Sequence, residues 1–165
     1  MSRGFVKEDD LELAGTDLQE RPISELPNYV TPNGLVQLKA EERRLLSERE
    51  LLAAKTEDAT ATQRLAMVDR DLRYAQTRLE QAILVETPIS SLLKAVVFGT
   101  SVTVEDEAGE QHTFEIVGED EADVAANKVS YVSPLAKALI GQKQGDTVIW
   151  KRPAGNLTLE IIDIK

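Results

Sequence analysis

The stretch Leu65-Ala-Met-Val-Asp-Arg-Asp-Leu-Arg-Tyr-Ala-Gln-Thr-Arg-Leu-Glu-Gln-Ala82 carries the most regular apolar pattern of this 165-residue chain. Its apolar residues alternate three and four positions apart, which is the seam of a coiled coil. They are Leu65, Val68, Leu72, Ala75, Leu79 and Ala82. A single helix of this length is marginal in water, so it needs a partner. The stretch therefore predicts one half of a helical hairpin.

The residues before this stretch supply the second helix. A looser apolar stripe is formed by Leu35, Leu38, Leu45 and Leu52. Thr31 is a suitable N-cap and Pro32 a suitable first helical residue, so the helix should begin there. The pattern is weakest between residues 55 and 62, which places the turn near residues 55–60. We therefore predict an antiparallel coiled-coil hairpin, with the carboxylates of Glu57 and Asp58 at its tip.

Arginines are frequent along the predicted hairpin, below its acidic tip. They are Arg43, Arg44, Arg49, Arg64, Arg70, Arg73 and Arg78. Acidic residues at helical spacing, among them Glu41, Glu48 and Asp69, can pair with them within each helix. The alternative is contact with nucleic acid, which the sequence leaves open.

After Pro88 the pattern changes to short alternating strands separated by glycine-containing turns. The predicted strands are Ala95–Phe98, Ser101–Val104, Gln111–Val117, Lys128–Val132, Thr147–Lys151 and Leu157–Ile164. One short helix should begin at Pro134, with Ser133 as its N-cap. The fold class is therefore α+β: a helical hairpin followed by a curled antiparallel sheet with one short helix. We expect an acidic, flexible tail at residues 1–28, the hairpin at 29–86 and the β-rich domain at 87–165.

Composition excludes several kinds of site. The chain has no cysteine and one histidine, His112, so zinc ribbons, thiol catalysis and histidine-based metal centres are not expected. We find no catalytic constellation. The net charge of −10 disfavours direct binding to DNA, and no segment is apolar enough to span a membrane. These features predict a cytoplasmic protein with a protein partner.

Four ordered motifs resemble the C-terminal domain of the bacterial Gre transcript cleavage factors, GreA and GreB. They are Phe98-Gly-Thr-Ser-Val-Thr-Val104, Phe114 to Asp123, Val132-Ser-Pro-Leu-Ala-Lys-Ala-Leu-Ile-Gly141 and Gly145-Asp146. Tyr29 to Leu38 is similar to the opening of the family's coiled coil. The resemblance covers about residues 29 to 164.

This resemblance implies an accessory factor of RNA polymerase core, not an enzyme. The C-terminal domain would have the fold of FK506-binding proteins and sit at the mouth of the secondary channel, with the coiled coil inserted. Val132, Ser133 and Pro134 would lie on the polymerase-binding surface. Tip carboxylates would help polymerase hold a second Mg²⁺, which activates water to hydrolyse backtracked RNA. The chain would need no cofactor of its own and would contact nascent RNA only indirectly.

The departure from the family falls on the tip. The Gre pattern there is approximately G-D-L-x-E-N-A-x-Y, whereas this chain has Lys55-Thr-Glu-Asp-Ala-Thr-Ala-Thr-Gln63. When the sequence is aligned with the Gre pattern from both ends, the hairpin is shorter by roughly one heptad in each helix, or about 10 Å. In this respect the hairpin is similar to the shortened arm of a third branch of the family, Rnk. The first hypothesis is a secondary-channel regulator with weak or no cleavage stimulation. The alternatives are a true cleavage factor using Glu57 and Asp58, and an interaction module that does not act on polymerase.

Overall fold

The computed structural model describes residues 18–55, 57–89 and 92–165 of the chain. These residues form two compact units. One contains residues 18–27 and Val36–Ala82, and the other contains Asn28–Leu35 and Ile83–Lys165. Among the described residues, no helix has both the length and the apolar character needed to cross a membrane.

Two long helices confirm the predicted hairpin. Helix α1 is Pro32–Ala53 and helix α2 is Ala59–Gln81. The Oγ1 atom of Thr31 accepts a hydrogen bond from Gly34 N at 2.9 Å, as expected of an N-cap. The seam packs as a small core of Leu45, Val68, Leu72 and Ala75, with Leu52 against it. Residues 36–81, which contain most of both helices and the turn between them, are called the arm.

The described residues also form seven strands and one further α-helix. Two three-residue strands, β1 (Asn28–Val30) and β2 (Ala82–Leu84), pair with each other. The larger sheet contains β3 (Ser101–Glu105), β4 (Gln111–Val117), β5 (Lys128–Ser130), β6 (Thr147–Trp150) and β7 (Leu157–Ile164), in the order β5-β4-β3-β7-β6. Helix α3 (Pro134–Leu139) buries Leu135, Ala136 and Leu139 in the core of this unit. The predicted curled sheet with one short helix is therefore confirmed.

The sheet is mixed, whereas the sequence pattern predicts an antiparallel sheet. Strands β4 and β5 run parallel, with Glu115 opposite Lys128 and Val117 opposite Ser130. Residues 118–127 connect them and include a short 3-10 turn at Val124–Ala126. A connection of this length lets the chain return to a point opposite Glu115 and run parallel to β4, whereas a tight hairpin turn would have reversed its direction.

The strand predicted at Ala95–Phe98 is wrong. Val96 is fully buried, but its backbone bonds to an irregular segment: Val96 N donates to Gln142 O and Gly141 N donates to Val96 O, each at 2.8 Å. Gly99 has a φ of 87°, which turns the chain immediately afterwards. The apolar alternation indicated burial correctly but not membership of the sheet.

Candidate functional site

The tip of the arm begins where α1 ends. Lys55 N donates to Leu52 O at 3.0 Å, and Asp58 N donates to Lys55 O at 3.1 Å, so the chain reverses tightly. Thr56 lies outside the described residues. Glu57 is exposed and makes no hydrogen bond or ion pair with any residue that the structure describes. Its carboxylate is exposed to solvent.

Asp58 has a structural role at the same tip. It is the N-cap of α2: its Oδ1 atom accepts hydrogen bonds from Thr60 N at 2.9 Å and Ala61 N at 3.3 Å. These two donors would otherwise be unsatisfied at the start of the helix, and the negative charge suits the helix dipole. One of the two carboxylate oxygens is thus committed to the fold.

The donor set at the tip is small. A hard divalent cation such as Mg²⁺ takes about six oxygen ligands, and the tip supplies the carboxylate of Glu57 and the remaining oxygen of Asp58. Among the described residues, neither acid belongs to a cluster of three potential metal ligands. The described tip residues alone are therefore too few to hold such a cation.

Ion pairs account for several of the arginines along the arm. Arg44 pairs with Glu41 and Glu48 on its own helix, as predicted. Two further pairs join the two helices: Arg64 Nε to Glu48 Oε2 at 2.9 Å and Arg49 Nε to Asp69 Oδ1 at 2.6 Å. These pairs favour the structural interpretation of the arginines over contact with nucleic acid.

The predicted polymerase-binding turn, Val132 to Pro134, leads into α3 and includes its first residue. Ser133 Oγ accepts a hydrogen bond from Ala136 N at 3.2 Å, which confirms the predicted N-cap. Pro134 is exposed at the first helical position, and Val132 is half-buried. Because α3 is fixed in the core, this turn is presented on a rigid support. The structure thus brings Val132, Ser133 and Pro134 together, while Glu57 and Asp58 lie in the other compact unit.

Sequence reasoning missed the role of Glu121. Its place in the acidic loop after β4 predicts a solvated side chain, yet it is only 6% exposed. Thr31 Oγ1 donates to Glu121 Oε1 at 2.6 Å, and Asn33 Nδ2 donates to Oε2 at 2.9 Å. Lys128 Nζ lies 3.4 Å from the same oxygen. Glu121 therefore holds the first turn of α1, and no sequence pattern indicates a contact between residues 90 positions apart.

His112 is the second residue of β4, next to the turn that joins β3 to β4. Its Nε2 atom is 3.2 Å from Asp106 Oδ2, while Asp106 Oδ1 accepts from Ala108 N at 2.9 Å and Glu110 N at 3.0 Å. The Glu110 amide, followed by the bond with His112, lowers the pKa of Asp106. Asp106, Glu110 and His112 are close enough to be considered as metal ligands. Their mutual hydrogen bonds are nevertheless those of a well-formed hairpin turn.

Comparison with known proteins identifies the family. The model of the C-terminal domain of transcription elongation factors GreA/GreB matches residues 85–165. The chain is 33% identical over 156 residues to GreB of Neisseria meningitidis serogroup B, covering 86% of this chain and 96% of that protein. It is 42% identical over 115 residues to GreA of Pelobacter propionicus, covering 69% of this chain and 72% of that one.

Among solved structures, the fold resembles GreA factor homolog 1 (Gfh1) of Thermus thermophilus. The TM-score is 0.41 and the identity 24%, over 85% of this chain and 99% of that one. The family itself is shown by the sequence matches. The chain belongs to the GreA/GreB family of transcription elongation factors.

Proposed function

We propose that this chain is an accessory factor that binds RNA polymerase core in the cytoplasm and inserts its arm into the secondary channel. There it regulates elongation with weak or no stimulation of RNA cleavage. Family membership supports the link to transcription elongation. The chain itself carries out no reaction in this proposal, and any RNA hydrolysis is performed by polymerase with its own Mg²⁺.

The capping role of Asp58 is the observation that carries the proposal of weak cleavage. A carboxylate that already accepts two backbone hydrogen bonds through Oδ1 has less electron density and less freedom to turn toward a metal ion. Rotating it away would leave Thr60 N and Ala61 N unsatisfied, which costs about 1 kcal/mol. Of the two tip acids, only Glu57 is free to move at little cost.

The length of the arm supports the same conclusion. Helix α1 has 22 residues and α2 has 23, so each is about 33–35 Å long. The sequence pattern at the tip predicts an arm about one heptad per helix shorter than that of the cleavage factors, or about 10 Å. An arm docked in the same way would then hold Glu57 too far from the catalytic metal to coordinate it.

The exposure of Glu57 favours the alternative, a true cleavage factor. A single mobile carboxylate could complete the coordination of an ion that polymerase already holds. If docking were deeper than in the cleavage factors, Glu57 would supply most of the effect. This alternative is decided by the experiment on the tip.

RNA cleavage in stalled, backtracked elongation complexes tests the tip. The variant Glu57→Gln/Asp58→Asn removes both charges, and asparagine caps a helix about as well as aspartate, so the arm stays folded. Glu80→Gln is the matched control, because Glu80 is an exposed acid at the end of α2 that is remote from the turn. We expect little cleavage above the factor-free level, unchanged by either variant. Strong cleavage that the double variant abolishes and the control retains would establish the alternative.

Binding to core polymerase tests the docking turn. Pro134→Glu keeps the Ser133 cap and places an acid in the first turn of α3, where it suits the helix dipole. It nevertheless adds a bulky charge to the proposed surface. We expect binding to weaken about tenfold or more, while Gln144→Glu, at an exposed position outside the turn, has little effect. Equal affinities of both variants and the unmodified chain would exclude the turn as a contact.

A further inference from the structure

Residues 18–23, here called the strap, lie against α2. The guanidinium of Arg21 lies 3.8 Å from the centre of the Tyr74 ring. Its Nη1 atom is 3.4 Å from Asp71 Oδ1. The strap is thus attached by a cation–π contact and an ion pair through one side chain.

A second residue of the strap makes the reciprocal contact. Glu20 accepts hydrogen bonds from Nε and Nη2 of Arg73, the latter at 2.8 Å. The bond from Arg73 lowers the pKa of Glu20. An acid of the strap therefore meets a base of α2, and a base of the strap meets an acid of α2. Such an alternation fixes the register, since a shift by one residue would bring like charges together.

A concavity lies between the strap and α2. It is lined by Glu20, Arg21 and Ile23 of the strap and by Arg70, Arg73, Tyr74 and Thr77 of α2. Ile23 is half-buried, so the strap contributes an apolar contact as well as charges. All of these residues belong to one compact unit.

The strap is suited to reversible attachment. Ion pairs between exposed side chains contribute little, and exposed cation–π contacts only slightly more. Their sum favours the attached state by about tenfold, not by the many orders of magnitude that separate folded from unfolded chains. A stronger ligand for the same face of α2 can therefore displace the strap.

The position of the strap along the arm gives its release a consequence. Arg70 follows Asp58 by 12 residues, so the covered face begins about 18 Å from the start of α2. The strap adds its own thickness to the arm there. A channel that encloses more than about half of the arm must accommodate or remove the strap.

We propose that the strap is an intramolecular ligand of the arm that competes with RNA polymerase for the face of α2 around Arg70, Arg73 and Tyr74. This inference rests on the proposed function. The apparent affinity for polymerase equals the full affinity multiplied by the fraction of molecules whose strap is released. Release of the strap therefore restores the full affinity.

Attachment is measured first in the free protein. The side-chain resonances of Arg21 should show an upfield ring-current shift that disappears in Tyr74→Leu. The exchange Glu20→Arg/Arg21→Glu reverses both contacts without changing the net charge and serves as the released form in the binding measurements. Its component Glu20→Arg retains Arg21 as the reporter and should reduce the shift. Arg43→Glu is the control for a charge change on the arm outside the strap, and it should retain the shift.

Affinity for core polymerase is then compared among strap variants of the full chain. The chain has no cysteine, so Ile23→Cys/Thr77→Cys can be joined selectively by a short bismaleimide linker. We expect the exchanged variant to bind up to about tenfold more tightly than the unmodified chain, and the linked variant to bind more weakly than both. The same cysteine variant capped with a monofunctional maleimide carries the substitutions and the adducts without the link, and it should bind more tightly than the linked form.

The outcomes separate the two proposals. An unshifted Arg21 signal in the unmodified chain would show that the strap is not attached and would overturn the inference. Equal affinities of the linked, unmodified and exchanged forms would also overturn it, while polymerase binding itself would stand. If no form binds polymerase, the proposed function fails and the competition fails with it, although the ring-current shift still reports attachment.

Discussion

Replacement of Glu121 by alanine should destabilise the C-terminal unit strongly. The side chain is almost fully buried and accepts hydrogen bonds from Thr31 at 2.6 Å and Asn33 at 2.9 Å, with Lys128 3.4 Å away. Hydrogen bonds to a charged group contribute about 1.5–3 kcal/mol each, and removing one member of a buried ionic group costs about 3–5 kcal/mol. Lys128 retains some access to water, which reduces the penalty. We expect the free energy of unfolding to fall by about 3 kcal/mol.

Urea unfolding followed by tryptophan fluorescence measures this loss. The chain has a single tryptophan, Trp150 in β6, so the signal reports on the unit that contains Glu121. Glu107→Ala is the matched control, because Glu107 is an exposed acid of the same unit, and its change should be below about 0.5 kcal/mol. The reasoning is refuted if Glu121→Ala costs less than about 1 kcal/mol with an unchanged dependence on urea.

Three further predictions concern the cap, a close backbone contact and a titrating turn. Asp58→Ala should cost the arm about 1 kcal/mol in thermal unfolding followed by circular dichroism, and Asp58→Asn only a few tenths; equal losses would contradict the capping role. Gly118→Ala should cost about 3 kcal/mol or more in urea unfolding, because a Cβ atom there would lie 2.2 Å from the carbonyl oxygen of Tyr29; a loss below about 1 kcal/mol would argue against this contact. Asp106, whose pKa is lowered, should contribute stability above its ordinary value of 3.8, and this contribution should be lost as the pH falls through its lowered pKa. In an NMR titration His112→Asn should raise the pKa of Asp106 but leave it below 3.8, since the Glu110 amide is the larger cause; a midpoint at 3.8 or above would refute this order.

Local patterns are sufficient where the physical cause is local. The start of α1 follows from Thr31 and Pro32, because capping and the fixed φ of proline act within one turn. The start of α3 follows in the same way from Ser133 and Pro134. Strand β7 has the bounds that its sequence predicts, since its alternation is long and one of its faces is buried.

Patterns fail where the cause lies elsewhere in the chain. The segment Ala95–Phe98 has the alternation of a strand, but its backbone partners are residues 141 and 142. The parallel pairing of β5 depends on the course of residues 118–127, which alternation along a strand does not encode. In both cases the missing information is the identity of the hydrogen-bonding partner.

The same distinction between local and distant causes applies to the residues of the candidate site. The sequence by itself determined the family, the helical arm, the acids Glu57 and Asp58 at its turn, and the turn at Ser133 and Pro134, because periodicity, capping and motif spacing are written in neighbouring residues. Only the tertiary structure decided that Asp58 is committed to capping, that Glu121 is buried under the first turn of α1, and that the strap lies on α2. Each of these depends on which distant atoms meet a charged group. The sequence records a carboxylate in the same way whether water, a backbone amide or an arginine contacts it in the folded chain. Those contacts determine what the carboxylate can do.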